Sequence, residues 1–173
     1  MGEIDIKSYI RDVHDFPQPG VVFKDISPLL KDPLAFAYTS NALLDLIGKR
    51  SIDKVVGIES RGFFFAPLLA SKLGAGFVPV RKPGKLPSDT LSQNYTLEYG
   101  SSALEIHSDA IQPKDRILIH DDVLATGGTA AAACKLVEQL GATVVHCNFL
   151  LELGFLNGIE QIQSYSVSSL LKY

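Results

Sequence analysis

The stretch that decides the fold is Ile117-Leu118-Ile119-His120-Asp121-Asp122-Val123-Leu124-Ala125-Thr126-Gly127-Gly128-Thr129. It begins with an apolar, β-branched run, which is typical of a strand inside a parallel sheet. Two carboxylates, Asp121 and Asp122, follow where that strand ends, and open α/β sheets bind ligands at this edge. A loop and an alanine-rich helix come next. This order predicts a ligand site at the carboxyl end of a central strand.

The loop after the acidic pair predicts a phosphate site. Gly127 and Gly128 allow the backbone to turn sharply and to approach a ligand without a Cβ in the way. Thr126 and Thr129 place hydroxyls beside the free N–H groups of the following helix. We therefore expect a phosphate at residues 125–129 and a polyhydroxyl group, such as ribose, on the acidic pair. A solvated acidic turn is the alternative that these residues leave open.

Length and composition limit the function classes. The chain has 173 residues and a net charge of −3, which predicts one domain and argues against a nucleic-acid surface. No basic-then-apolar leader and no apolar run of bilayer length occur, so we expect neither a signal peptide nor a membrane anchor. Cys134 and Cys147 lack metal or redox spacing and are interpreted as buried thiols in a reducing, cytoplasmic compartment. Neither a Walker A loop nor a dinucleotide fingerprint is present.

The periodicity of the chain predicts an α/β fold. Strands are expected at residues 54–60, 76–81, 116–123 and 143–153, forming a mainly parallel sheet with helices on both faces. Helices are expected over residues 3–16, 33–49, 63–73 and 130–140, with a kink at Pro67 in the third. Residues after Gly158 are expected to form a helix or turn.

Residues 88–115 interrupt the alternation of helix and strand. Residues 95–99 and 103–107 alternate with a period of two around Gly100-Ser101-Ser102, which predicts a hairpin. The polar stretch Ser88 to Asn94 is expected to be a loop. A long loop inside a compact domain is usually functional or mobile.

Two groups of cations lie outside the central stretch. Glu59-Ser60-Arg61-Gly62 ends another predicted strand, and Arg81, Lys82 and Lys85 form a compact basic loop around Pro83-Gly84. In a chain that is acidic overall, these cations predict a second, larger anion such as pyrophosphate. A surface pairing of Arg61 with Glu59, and a solvated basic turn, are the alternatives.

The central stretch resembles the phosphoribosyl pyrophosphate (PRPP) signature of the type I phosphoribosyltransferases. It departs at His120, where that family usually has an apolar residue. Further segments resemble the adenine-specific members of the family, in order and at matching spacing, across essentially the whole chain: Phe16-Pro17, Pro19-Gly20-Val21-Val22-Phe23, Asp25-Ile26-Ser27-Pro28, Ser60-Arg61-Gly62-Phe63, Arg81-Lys82, Gly84-Lys85-Leu86-Pro87 and Leu97-Glu98-Tyr99-Gly100. The resemblance implies a single domain, 1–173, with a small N-terminal hood at 1–33 and a flexible catalytic hairpin loop at 88–107.

The resemblance also implies a role for each matching residue. The ribose and 5′-phosphate of PRPP are expected to bind to Asp121, Asp122, Ala125, Thr126, Gly127, Gly128 and Thr129. Pyrophosphate is expected to bind to Glu59, Ser60, Arg61 and Lys85, with a cis Glu59–Ser60 peptide. Adenine is expected to bind to Val22, Phe23, Lys24 and Leu153. Lys24 stands where the family often has arginine, a change that a backbone contact survives.

The reaction implied is adenine plus PRPP giving AMP plus pyrophosphate, with Mg²⁺ held mainly by PRPP and water. Glu98 is expected to be the base, aided by Arg61, Asp121 and Asp122, while Tyr99 orients the loop. The resemblance further implies a homodimer. Two alternatives stay open: transfer to another purine base, and a regulator that binds PRPP without catalysis.

Overall fold

The computed structural model describes residues 4–96 and 101–173 of the chain. Contacts within the chain divide it into two compact units, Met1–Ala42 and Leu43–Tyr173. The hood at residues 1–33 falls inside the first unit. The predicted domain organisation stays a prediction.

The first unit is built on a short antiparallel hairpin. A 3-10 turn at Ile6–Tyr9 leads into strand β1 (Arg11–His14), which pairs with strand β2 (Val22–Asp25). Helix α1 (Ser27–Lys31) follows. The predicted helix over residues 3–16 is therefore wrong beyond its first turn.

Charge pairing across the hairpin explains that error. Arg11 stands opposite Asp25, and Asp12 stands opposite Lys24, and both pairs form salt bridges. Oppositely charged residues that face each other stabilise an antiparallel pair of strands. These contacts join residues more than ten positions apart, so the local helical spacing did not reveal them.

Helix α2 (Pro33–Ile47) confirms its predicted start. Oδ1 of Asp32 accepts hydrogen bonds from the backbone N–H groups of Leu34 (3.0 Å) and Ala35 (2.8 Å), as an N-cap does. The helix ends two residues before the predicted Lys49, because Gly48 takes a left-handed conformation with φ of 66°.

The second unit is organised around a parallel sheet. In chain order its strands are β3 (Lys54–Ile58), β4 (Gly76–Val80), β5 (Thr90–Thr96), β6 (Ser101–His107), β7 (Arg116–Leu124), β8 (Thr143–Glu152) and β9 (Val167–Lys172). The sheet order is β4-β3-β7-β8-β9 with every pair parallel, and β5 and β6 form a separate antiparallel hairpin. The predicted α/β class and mainly parallel sheet are confirmed.

Strand β9 was expected to be a helix or turn. It pairs with β8 on one side only, and its residues are mostly half-buried. An edge strand in this position does not need a strict apolar alternation, because one side of it meets solvent. Its sequence, Val-Ser-Ser-Leu-Leu-Lys, therefore carried a weak signal.

Two helices of this unit begin differently from the prediction. A 3-10 turn at Arg61–Phe64 precedes helix α3 (Ala66–Leu73), so Pro67 lies in the first turn of α3. Proline suits that position, since its missing N–H would have no partner there, and the predicted kink is wrong. Helix α4 (Gly128–Gln139) starts two residues earlier than expected.

Helices cover both faces of the sheet, as predicted. On one face, a Cβ at Gly57 would meet Ala66 of α3 and Phe77 at 2.8 Å each. Val56 and Ile58 point to the other face, where they join a buried cluster with residues of α4 such as Leu136. The predicted alternation along β3 thus places α3 and α4 on opposite sides.

The β5–β6 hairpin is longer than its alternating pattern indicated. Thr90 pairs with His107, so part of the polar stretch that was expected to be a loop is a strand. Leu104 and Ile106 of β6 are fully buried in the same cluster as α4, which fixes the base of the hairpin. Among the described residues, no helix combines the length and apolarity that crossing a bilayer requires.

Candidate active site

A cleft of about 310 Å³ lies at the carboxyl ends of β3 and β7. The residues predicted for the site that line this cleft are Glu59, Ser60, Arg61, Asp121, Asp122, Ala125, Thr126, Gly127 and Thr129. Seven further lining residues were not predicted as site residues: Lys82, Tyr95, Ser102, Leu104, Val123, Leu124 and Ala130. The sheet therefore brings together segments that lie far apart in the sequence, as parallel strand ends do.

The acidic pair occupies the centre of the cleft. Asp122 is buried, and its Oδ2 lies 2.9 Å from Nε of Arg61. Burial raises the pKa of Asp122, and the Arg61 charge opposes that rise. Burial also raises the pKa of Asp121 well above its ordinary value, and the neighbouring Asp122 charge adds to the effect. The pair is therefore a site where negative charge is costly until a ligand or cation compensates it.

The phosphate loop, residues 125–129, connects β7 to α4. Gly127 has φ of 83° and stands as the N-cap of α4. This left-handed conformation turns the chain sharply into the start of α4. The first backbone N–H groups of a helix lack partners within the helix. Gly128 begins α4 and does not line the cleft. The loop thus offers an anion site made of backbone groups at the positive end of a twelve-residue helix.

Glu59 organises the opposite end of the cleft. Its buried carboxylate accepts hydrogen bonds from Nζ of Lys85 (2.7 Å), from the guanidinium of Arg81 (3.1 Å) and from the backbone N–H of Lys82 (3.0 Å). Burial alone would raise the pKa of Glu59, but the bonds from Lys85, Arg81 and Lys82 outweigh it and lower that pKa to about 2. The Glu59–Ser60 peptide is cis, as the resemblance implied.

Two lysines of the basic loop therefore differ in position. Lys85, expected to bind pyrophosphate, holds Glu59 and is not among the residues that line the cleft. Lys82, which was seen only as part of the basic loop, is exposed and lines the cleft. The spacing of the loop carried the signal for a cationic site but not for which lysine faces the ligand.

Comparisons with known proteins identify the family of this chain. The family model described as phosphoribosyl transferase domain matches residues 28–162. The chain belongs to the phosphoribosyltransferase family. The adenine phosphoribosyltransferase of Christiangramia forsetii is 58% identical over 170 residues, covering 98% of this chain and 99% of that protein. The enzyme of the same name from Flavobacterium johnsoniae is 57% identical, with coverage of 97% and 99%.

Solved structures of the family share the fold. The adenine phosphoribosyltransferase from Thermoanaerobacter pseudethanolicus has a TM-score of 0.96 and 51% identity, covering 98% of each chain. The enzyme from Saccharomyces cerevisiae, solved with adenine and an imino-altritol bisphosphate, has a TM-score of 0.91 and 43% identity, covering 96% of this chain and 97% of that chain. The predicted family and type I fold are confirmed.

Within this phosphoribosyltransferase, the residues expected to bind the base lie in both units. Val22, Phe23 and Lys24 are on β2 of the first unit. The Phe23 and Phe16 rings form a T-shaped contact with centroids 5.1 Å apart, beside a cavity of about 190 Å³. Leu153 directly follows β8 in the second unit. A role for all four in holding adenine stays a prediction.

His120 is the one departure from the family pattern in β7. Its ring is buried, with Nδ1 3.0 Å from Oδ1 of Asn148 and the ring edge toward Phe65. Burial lowers the pKa of His120 to about 4, so the ring is neutral near pH 7. The Asn148 amide thus gives this buried histidine a polar partner.

Glu98 and Tyr99, predicted as the base and as an orienting residue, lie outside the described residues. The hairpin strands on either side of them are described, and Tyr95 and Ser102 at its upper end line the cleft. No group of three or more His, Cys, Asp or Glu side chains in the described part of the chain could hold a metal ion.

Proposed function

We propose that this chain transfers the 5-phosphoribosyl group of PRPP to adenine, giving AMP and pyrophosphate. The observation that carries the proposal is one cleft in which a carboxylate pair lies between a backbone phosphate loop and a group of cations. PRPP has the same order of groups: a 5′-phosphate, a ribose and a pyrophosphate. The full-length identity to enzymes named adenine phosphoribosyltransferase supports adenine as the acceptor.

PRPP binds with its 5′-phosphate in the loop of residues 125–129. The free N–H groups at the start of α4, with the hydroxyls of Thr126 and Thr129, hold this phosphate. Asp121 and Asp122 accept hydrogen bonds from the ribose hydroxyls, as ionised carboxylates accept and do not donate. Their negative charge then stabilises the positive charge that builds on the ribose ring as pyrophosphate leaves.

Pyrophosphate leaves toward the opposite end of the cleft. Arg61 lies between that end and the acidic pair, and the backbone of Glu59 and Ser60 adds donors. Lys82 and Lys85 supply positive charge from the basic loop. Guanidinium groups suit this role because they bind phosphate oxygens through two parallel hydrogen bonds.

The site also fits Mg²⁺. Magnesium prefers oxygen ligands and is usually held by one or two carboxylates together with substrate phosphates and water. Here PRPP and water would supply most of its ligands, and the nearby Asp121 and Asp122, whose negative charge is disfavoured by burial, suit a neighbouring cation. When bound, Mg²⁺ would neutralise charge on the leaving pyrophosphate. In its absence, the Arg61 charge opposes the rise in the pKa of Asp122.

Phe23 is the proposed ring contact of adenine, the backbone of Val22 and Lys24 reads the purine edge, and Leu153 is a further proposed contact to the base. In the transfer step the N9 lone pair bonds to the ribose carbon, and the bond from that carbon to pyrophosphate breaks with its electrons. Glu98 takes the proton from N9 when the predicted catalytic loop, residues 88–107, closes, and Tyr99 orients that loop. Closure also keeps water from attacking PRPP.

We further propose a cytoplasmic homodimer. Both cysteines are free and buried, which suits a reducing compartment. Phe64 and Phe77 are large apolar side chains that are 41% and 37% exposed, and a second copy would cover them. Light scattering measures the assembly directly, and a monomer at micromolar concentration would contradict it.

A panel of bases tests the reaction. Purified chain is incubated with PRPP, Mg²⁺ and one of adenine, hypoxanthine or guanine, and pyrophosphate release is followed. We expect turnover with adenine alone. Turnover with oxopurines alone would favour the other purine enzyme, and PRPP binding without turnover would favour the regulator.

Glu98→Gln tests the base assignment. We expect kcat to fall by about 100-fold or more, because general-base catalysis contributes on that order. Asp89→Asn is the matched control, since it removes an exposed carboxylate near the base of the same hairpin. Near-normal turnover of Glu98→Gln would exclude Glu98 as the base.

A further inference from the structure

A turn near the C-terminus packs directly against the phosphate loop. Two 3-10 turns, Gly154–Leu156 and Gly158–Ile162, follow β8. Gly158 is buried, and a Cβ there would overlap the carbonyl oxygen of Ala125 and lie 2.8 Å from the backbone nitrogen of Gly127. The contact is therefore between two stretches of backbone, with no room for a side chain.

The close packing of the turn against the phosphate loop is also seen from the loop's own glycine, Gly127. A Cβ placed on Gly127 would overlap the carbonyl oxygen of Gly158 and lie 2.9 Å from Cβ of Gln161. A Cβ on Gly127 would meet the Gly158 carbonyl, and a Cβ on Gly158 would meet the Ala125 carbonyl, so neither position has room for a side chain. Close approach of two backbones is one of the few reasons that a position needs glycine.

The turn is anchored, so it cannot simply move away. The backbone N–H of Leu153 donates to the carbonyl of Leu124 (2.9 Å), and that of Gly154 donates to the carbonyl of Tyr173 (2.9 Å). At the other end, Ile162 is fully buried in the cluster that contains α4. A change at Gly158 must therefore move the loop more than the turn.

We propose that Gly158 is a positioning residue that sets the shape of the phosphate loop. The Ala125 carbonyl points toward Gly158, which keeps this oxygen on the side of the loop that the turn covers. A carbonyl oxygen turned toward an anion would repel it, whereas the N–H groups attract it. The proposal rests on the proposed function, because the loop's ligand is taken to be the 5′-phosphate of PRPP.

The test is a comparison of two ligands on Gly158→Ala. Ribose 5-phosphate reports on the loop, and pyrophosphate reports on the other end of the cleft. We expect calorimetry to show a loss of at least about tenfold in affinity for ribose 5-phosphate and a change of less than about twofold for pyrophosphate. A purely structural role would weaken both alike. Ile159→Ala, which shortens an exposed side chain in the same turn, is expected to change neither.

A second variant keeps the test open if Gly158→Ala does not fold. Ile162→Val loosens the anchor of the turn by removing a buried methyl group, and we expect it to weaken ribose 5-phosphate binding about twofold to threefold. Unchanged ribose 5-phosphate affinity in a folded Gly158→Ala protein, or in Ile162→Val if the former does not fold, would overturn the positioning role alone. Failure of the wild-type chain to bind ribose 5-phosphate would overturn it together with the proposed function.

Discussion

The two ends of the cleft hold anions by different means. The phosphate loop, residues 125–129, uses backbone N–H groups at the start of α4 and contains no cation. The opposite end uses side chains: the buried carboxylate of Glu59 gathers Arg81 and Lys85, while Arg61 pairs with Asp122. The first end depends on the shape of the chain, and the second depends on charge.

This difference follows from what lies between the two ends. A cation at the phosphate loop would compete for the acidic pair, whereas backbone dipoles bind phosphate without adding a mobile charge. At the other end the leaving group carries more charge, so full positive charges are needed. Those cations repel one another, and Glu59 offsets that repulsion with its pKa lowered to about 2. We therefore expect substitutions that change the backbone conformation to weaken binding at the phosphate loop. Substitutions that remove a charged side chain are expected to weaken binding at the opposite end.

The largest expected effect comes from changing the shape of the loop. In Gly127→Ala a side chain must adopt φ near 83° and must also displace the Gly158 backbone. We expect kcat/KM for PRPP to fall about 100- to 1,000-fold, the range found when an aligned donor is lost from an anion site. Steady-state kinetics with varied PRPP measure the loss, and pyrophosphate affinity is expected to stay within about threefold.

Gly141→Ala is the matched control for that variant. Gly141 follows the other end of α4 and has φ of 77°, but its nearest neighbours are atoms of Pro113 and not the cleft. It therefore carries a similar backbone strain without touching the loop. A loss of activity in Gly141→Ala equal to that in Gly127→Ala would show that strain, and not the phosphate site, is responsible.

The next effect is a pH dependence that comes from the acidic pair. Burial raises the pKa of Asp121, so the pair is protonated at a higher pH than ordinary aspartates are. Because ribose binding and charge stabilisation need the ionised pair, we expect kcat/KM to fall about tenfold per pH unit below that raised pKa. The free energy of unfolding is expected to have the opposite pH dependence, decreasing as the pH rises. A raised folded-state pKa adds stability at low pH, and this contribution is lost as the pH rises through it.

Asp121→Asn separates this effect from titration of the substrate phosphates. With Asp121 replaced, the carboxyl whose pKa is raised well above its ordinary value no longer titrates, and the acid limb of the profile is expected to move to lower pH. Rates measured from about pH 4.5 to 9 report the shift. A limb that stays in place in Asp121→Asn would belong to PRPP itself.

The sequence predicted the shape-dependent end well because that end is local. The strand, the two carboxylates and the glycine loop are consecutive, and β7 ends within one residue of its predicted bound, although α4 begins at Gly128, two residues earlier than expected. Helix α3 shows the limit of the same method, since the apolar run from Phe63 was continuous and hid a break before Ala66. Propensity indicated a helix but could not place its first residue.

The charge-dependent end was predicted only in outline, because its pairs are distant in sequence. Glu59 contacts Arg81 and Lys85, which are more than twenty residues away in the sequence. Neither segment carries a local pattern that indicates which lysine pairs with Glu59. Gly158 was missed for the same reason. Its partner, the phosphate loop, lies about thirty residues away, and the glycine alone indicated only a turn.

The smallest expected effect distinguishes the two lysines of the basic loop. Lys82 is exposed in the cleft, whereas the charge of Lys85 is already matched by Glu59 at 2.7 Å. We therefore expect Lys82→Ala to weaken pyrophosphate binding about tenfold, or about 1.4 kcal/mol, and Lys85→Ala only about threefold. Both losses are expected to shrink at high salt, because exposed charges are screened. Lys49→Ala, at an exposed position after α2, serves as the control.

The reverse order of losses would revise the comparison between the two ends. If Lys85→Ala were the weaker binder, pyrophosphate would have to draw Lys85 away from Glu59, and the buried carboxylate would then lose a partner in the bound state. The pKa of Glu59 would rise on binding, so pyrophosphate affinity would be linked to proton uptake at low pH. Calorimetry in two buffers of different ionisation enthalpy detects such uptake, and its absence would leave Lys82 as the lysine that meets the ligand.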